Sequence, residues 1–209
     1  MNALQRKEAH MEQIITIRDA DLTYQARNGE VEALRGVTFS VAEGEFVSIV
    51  GPSGCGKSTL LGVLAGLETL DGGTAALRGS AISGPNRLVG FMPQRDQLFE
   101  WRTIRDNVML GLELRRDRDP VHRRHAEALL ARYGLAEFAD KRPDQLSGGM
   151  RQRCALIRTL ATGPDILLLD EPFSALDYQT RLAVSGDIWR IIRGEGKTAL
   201  LVTHDISEA

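Results

Sequence analysis

Apolar residues come in short runs over the first third of the chain. Ile14-Ile15-Thr16-Ile17, Val31-Glu32-Ala33-Leu34 and Val37-Thr38-Phe39-Ser40-Val41 are β-branched and partly alternating, and Asn28-Gly29 and Glu43-Gly44 punctuate them, which predicts short strands. The continuous apolar run from Phe46 to Val50 predicts a strand buried on both faces of a parallel sheet. Glycine and proline then break the run, and a helix is expected from about Ser58. Past Asp71-Gly72-Gly73, Thr74 to Arg78 reads as another short strand, and Leu88 to Met92 as a buried one ended by Pro93. Between Thr103 and Thr162 the pattern turns helical, with Val108-Met109-Leu110 and Leu112, then Ala126 to Leu130, then Arg151 to Leu160. Two buried strands follow, Ile166 to Leu169 and Thr198 to Val202. This order of strands, helical block and strands predicts an α/β core with a helical subdomain inserted in its middle.

Composition narrows the class. The 209 residues suit one α/β domain with a buried core and are tight for two. A net charge of -2 gives no push towards nucleic acid, which calls for a strongly basic domain. The run Arg115-Arg116-Asp117-Arg118-Asp119 mixes both signs without interleaved aromatics and reads as a solvated loop. Cys55 and Cys154 form neither a metal spacing nor a disulfide framework, so a reduced protein with incidental thiols is expected. Met1 to Met11 lacks the apolar run of a signal peptide, and no stretch reaches the length of a membrane span. If the protein works at a membrane, other subunits must cross it.

The glycines cluster where chemistry is implied. Gly51-Pro52-Ser53-Gly54-Cys55-Gly56-Lys57-Ser58-Thr59 fits G-x-x-x-x-G-K-[ST] without a mismatch, between a predicted strand and a predicted helix. Glycines let the backbone curl so that its N–H groups converge on phosphate oxygens. Lys57 brings a compact positive charge, Ser58 a hard oxygen for Mg²⁺, and the helix its positive dipole end. Such a loop alone does not choose between kinase, GTPase and motor. Asp170 ends an apolar strand where it could hold Mg²⁺ through its water shell, and Glu171 could polarise an attacking water. An acidic helix start explains the same pair taken alone. At Ser147-Gly148-Gly149 a polar cap and two glycines open a helix, making an anion site. A plain capped helix explains them equally, but a second phosphate site in one small domain suggests use in trans, across a dimer.

With these motifs in this order, from about Ile14 to His204, the sequence resembles the ATP-binding cassette family. The resemblance implies a P-loop NTPase (RecA-like) core with an N-terminal antiparallel β subdomain and an inserted helical subdomain. One domain over 1–209 is expected, with 1–94 and 163–209 as core and β subdomain and 95–162 as the helical signature subdomain. It makes Tyr24 the aromatic that stacks on adenine. Gln94 becomes the glutamine that touches Mg²⁺ and reports to membrane subunits. Ser147-Gly148-Gly149 match the signature motif, Ser174-Ala175-Leu176-Asp177 the loop crossing the dimer interface, and His204 the switch histidine contacting γ-phosphate. Each smaller match also fits ordinary packing or a turn; their joint order carries the resemblance. The chain departs from the family in two places. Met150 stands where the signature carries glutamine, and the chain ends at Ala209, short of the helix and strands with which family members continue.

The implied mechanism has two subunits meeting head to tail, each ATP lying between the phosphate loop of one and Ser147-Gly148-Gly149 of the other. Implied partners are that second ATPase subunit, integral membrane permease subunits and a solute-binding protein, at the cytoplasmic face of the cell membrane. Gln97 to Val108 resembles the nitrate, sulfonate and taurine importer group, with Phe99 and Trp101 lining a groove for a membrane-subunit helix. The rival class is a soluble cassette ATPase of DNA repair, translation or cluster assembly. The short interval between phosphate loop and signature, without heptads, and the single cassette speak against the first two.

Overall fold

The computed structural model describes residues 12–26, 29–174 and 176–206. Met1 to Met11, read above as lacking a leader, and Ala175 of the interface loop lie outside the described residues. Strand β1 (Gln13–Ala26) forms an antiparallel ribbon with β2 (Gly29–Ala42), placing Ile17 opposite Phe39 and Tyr24 opposite Val31. Strands β4 (Gly72–Leu77) and β5 (Ser80–Ala81) complete an antiparallel sheet in the order β2-β1-β4-β5. The separate strands expected at Val31–Leu34 and Val37–Val41 are one 14-residue strand. Gly36 at φ +56° and register shifts near Ala20 let the ribbon bend without ending.

The second sheet is parallel and ordered β3-β8-β7-β6, built from β3 (Phe46–Val50), β6 (Val89–Met92), β7 (Ile166–Asp170) and β8 (Thr198–Thr203). Strands β7 and β8 are buried throughout. Strands β3 and β6 are its edges, and β3 is only half-buried, against the expectation of burial on both faces. Among the described residues its one hydrogen-bonded neighbour is β8, and Val50 is exposed.

Alternation along β7 and β8 divides the core in two. Leu167, Leu169, Ala199 and Leu201 face the helical side, while Ile166, Leu168, Leu200 and Val202 face helix α1 (Lys57–Leu64) and the antiparallel sheet. Each of the buried leucines contributes about 1.5–3 kcal/mol by leaving water. The second cluster wedges α1 between the two sheets through Leu60, Leu61 and Leu64, so the loop before α1 sits at their junction.

Between β6 and β7 lie helices α2 (Ile104–Leu114), α3 (Pro120–Arg132) and α4 (Gly148–Leu160). Their starts follow local chemistry. The side chains of Thr103, Asp119 and Ser147 cap them, accepting from the amides of Asp106, Val121 and Met150. Helix α5 (Tyr178–Gly194) follows β7, where the sequence reading placed no element. Its buried Val184, Ile188, Ile191 and Ile192 keep helical spacing and pack on the sheet.

Candidate nucleotide site

The phosphate-loop residues leave the end of β3 and close into α1. Gly54 and Gly56 hold φ of +82° and +94°, and a Cβ on Gly56 would lie 2.1 Å from the Ala33 carbonyl oxygen. Only glycine fits there, because β2 passes directly beneath the loop. Gly56 ends the loop at the first turn of α1, its carbonyl accepting the Leu60 amide at 2.9 Å.

Lys57 is buried, and its Nζ donates to the carbonyls of Gly51 at 2.8 Å and Pro52 at 2.9 Å. The Ser58 hydroxyl donates to Asp170 Oδ1 at 2.9 Å, joining the start of α1 to the end of β7. Burial pushes the Asp170 carboxyl up; the Ser58 hydrogen bond opposes this, Glu171 adds to it and Lys57 subtracts. A carboxylate destabilised in this way gains most from a bound cation.

Glu171 takes φ +42°, an uncommon left-handed conformation for this residue type, held by its amide donating to Val202 O at 2.9 Å. This turn aims its carboxylate at three groups. Lys57 Nζ is 3.9 Å from Oε1, while His204 Nδ1 at 3.1 Å and Gln94 Nε2 at 3.3 Å meet Oε2. Four of the sequence-named residues thus converge from α1, the loop after β6, the end of β7 and the end of β8. A cavity of about 360 Å³ opens beside them, lined by Tyr24, Ser53, Gly54, Gly56, Lys57, Ser58, Thr59, Gln94 and Glu171. Tyr24 reaches it from β1, half-exposed.

The Ser58 hydroxyl and the Asp170 carboxylate, 2.9 Å apart, are hard oxygen donors of the kind Mg²⁺ takes, and Gln94 lines the same cavity as Ser58. Among the described residues no group of three His, Cys, Asp or Glu side chains is placed to hold a metal by itself.

Ser147, Gly148, Gly149 and Asp177 do not line this cavity. They gather at the neighbouring starts of α4 and α5. A Cβ on Gly148 would lie 2.9 Å from the Leu176 side chain, and one on Gly149 would lie 2.6 Å from that of Val184. Ser147 Oγ accepts the Met150 amide at 3.4 Å, and Asp177 Oδ1 the Thr180 amide at 3.0 Å. Sequence reasoning missed the wall formed by Val31, Glu32 and Ala33 of β2. Nothing local marks those residues, whose place comes from the ribbon folding over the loop.

A sequence model described as "ABC transporter" matches residues 34–174, which spans the phosphate loop, the signature residues and the acidic strand end. The chain belongs to the ABC transporter family. The cassette is 41% identical over 196 residues to a taurine import ATP-binding protein, TauB, of Ruegeria pomeroyi, covering 93% of this chain and 73% of the relative. It is 49% identical over 178 residues to an aliphatic sulfonates import ATP-binding protein, SsuB 2, of Agrobacterium fabrum, covering 85% and 66%. Among solved structures it superposes on a dimeric post-hydrolysis state of the ATP-binding cassette MJ0796 bound to ADP and Pi, with TM-score 0.78 and 33% identity over 93% of this chain and 90% of that one. The cassette has the ABC fold, an antiparallel β sheet set against a RecA-like parallel core with a helical portion, and it is an ATP-hydrolysing protein of that family.

Proposed function

We propose that the cassette is the motor subunit of an importer for small sulfonates or related anions, working as an ATP-driven pair beside separate permease subunits and a solute-binding protein. The observation that carries the motor reading is the convergence of Lys57, Gln94 and His204 on Glu171 at the mouth of the phosphate-loop cavity. The importer reading is supported by the taurine and sulfonate relatives, and the pairing by the dimeric cassette it resembles. Among the described residues no helix is long and apolar enough to cross a membrane. In this reading separate permease subunits carry the translocation path, and the cassette works beside them on the cytoplasmic face, as the kinship with importer ATP-binding proteins supports.

The chemistry divides among named groups. The loop amides and Lys57 hold the β- and γ-phosphates, and Tyr24 stacks on the adenine. Ser58, Asp170 and Gln94 would hold Mg²⁺, which would supply neutralising charge to the transferring phosphate. Glu171 orients a water and accepts its proton as the water oxygen bonds to the γ-phosphorus and the bond to the β-phosphate oxygen breaks, giving ADP and phosphate. His204 steadies the γ-phosphate. Ser147, Gly148 and Gly149 of the second copy complete the site from the other side, with Asp177 beside them. ATP therefore touches both copies only when they are closed, which gives it the differential affinity that drives closure. Residues 95–162 carry the signature within a single unit over 1–209.

Gentle affinity purification from native membranes, with identification of what co-purifies, tests the assignment. A multi-span permease is expected. Recovery with soluble partners alone would leave the ATPase chemistry and move the function to a soluble cassette class.

A further inference from the structure

The segment after Gln94 is tied to the signature helix by two arginines of α4. Arg151 donates through Nε to Asp96 Oδ2 at 2.8 Å and through Nη2 to Asp96 Oδ1 at 3.2 Å, and Nη2 also reaches Glu100 Oε1 at 2.8 Å. Arg158 donates to the carbonyls of Asp96 at 2.6 Å and Gln97 at 2.7 Å. Gln97 holds φ +47°, a conformation that such outside contacts must maintain. The Arg151 and Asp96 side chains are 25% and 19% exposed, so water screens this pair less than a surface one.

The two ends of this arrangement lead to different nucleotides. Its loop carries Gln94, which touches Glu171 at 3.3 Å in the copy's own site. Its helix carries Ser147, one turn before Arg151, whose amide donates to the Ser147 carbonyl at 2.9 Å. In the two-copy reading that serine faces the nucleotide of the other copy. Glu100 also stands between Phe99 and Trp101, whose rings stack at 4.7 Å and whose indole is 70% exposed. The guanidinium thus holds Asp96, two residues after Gln94, and Glu100, between the stacked Phe99 and Trp101, to the helix that Ser147 caps.

We propose that Arg151 is a positioning residue that makes the two nucleotide sites of the dimer read each other, by fixing the signature helix to the loop that contacts the copy's own Glu171. The bidentate geometry on Asp96 matters, because a planar fork transmits orientation where a point charge only attracts. The proposal rests on the two-copy reading above, and its test separates the two.

The test is ATP-dependent dimer formation, followed by sizing over an ATP titration in the Glu171→Gln background. Arg151→Met is expected to raise the ATP concentration at half-closure about tenfold and to bring the Hill coefficient down to about 1, within the usual span of coupling between sites. ADP affinity of the monomer should stay within about twofold. Asp96→Asn should produce the same loss, and combining the two should add little beyond either alone. Arg151→Lys, which keeps charge and fold, should fall between parent and Met variant and covers the case in which Met impairs folding. Failure of the Glu171→Gln parent to close at all would remove the two-copy reading and this proposal with it. Closure of the parent with unchanged midpoint and Hill coefficient in both Arg151 variants, or strict additivity with Asp96→Asn, would overturn the proposal alone.

Discussion

Asn107 is a buried polar side chain in α2, fully shielded from solvent, and its removal has consequences that follow from its bonds. Its Oδ1 accepts the Phe99 amide at 2.7 Å, and its Nδ2 donates to the carbonyls of Phe99 at 3.1 Å and Thr103 at 2.9 Å. In Asn107→Ala the two carbonyls keep partners, since Arg102 and Asn107 amides already reach them at 3.0 Å and 2.9 Å. The Phe99 amide loses its acceptor. With both carbonyls still partnered, the orphaned buried donor sets the loss, so roughly 1–3 kcal/mol is expected. That is a large share of the 5–15 kcal/mol typical of a folded domain. Equilibrium urea unfolding, checked for two-state behaviour, measures the loss. Trp101 emission should shift as well, because its stacking partner is no longer anchored. A loss below about 0.5 kcal/mol, typical of a surface change, would refute the reasoning.

Three further outcomes follow from the same geometry. Gly56→Ala should abolish nucleotide binding and destabilise well beyond Gly54→Ala, since both sit at positive φ but only Gly56 meets a carbonyl at 2.1 Å; equal effects in binding and unfolding assays would contradict this. Burial pushes the Cys154 thiol up to about 12, so at pH 8 only about one part in 10⁴ is thiolate. A native thiol titration should therefore find exposed Cys55 alone reacting quickly, and two equally fast thiols would count against the packing. For Asp96, burial alone would raise the carboxyl, but the Arg151 hydrogen bond, the Leu98 amide and the charges of Arg151 and Arg158 together hold it below its ordinary 3.8. A depressed folded value stabilises above pH 3.8 and is lost as pH falls through it. Asp96→Asn should therefore cost stability at pH 7 and lose that cost in strong acid, and a cost independent of pH would speak against the ion pair.

The parts of the site that were legible in the sequence are those whose chemistry needs fixed residue types at fixed spacing. The run from Gly51 to Thr59 and the Asp170-Glu171 pair are of this kind, and the structure brings Lys57, Ser58, Gln94, Asp170, Glu171 and His204 together. Central strands were legible because burial on both faces demands unbroken apolar runs. The edge position of β3 was not: Phe46 to Val50 is as apolar as β7, and an apolar run does not state how many neighbours it has. Helix α5 carried its signal at Val184, Ile188, Ile191 and Ile192, behind a polar first turn that reads as loop. The contacts of Asn107, Arg151 and Arg158 with the segment after Gln94 had no local mark, because they link residues brought close only by the packing of α2 and α4 against the sheet.

The most direct test of the account is the size of Glu171→Gln protein with and without MgATP. With binding groups intact and water activation removed, MgATP should trap a dimer that is absent without nucleotide. A monomer that binds ATP and stays a monomer at every concentration would contradict the shared site between phosphate loop and signature helix.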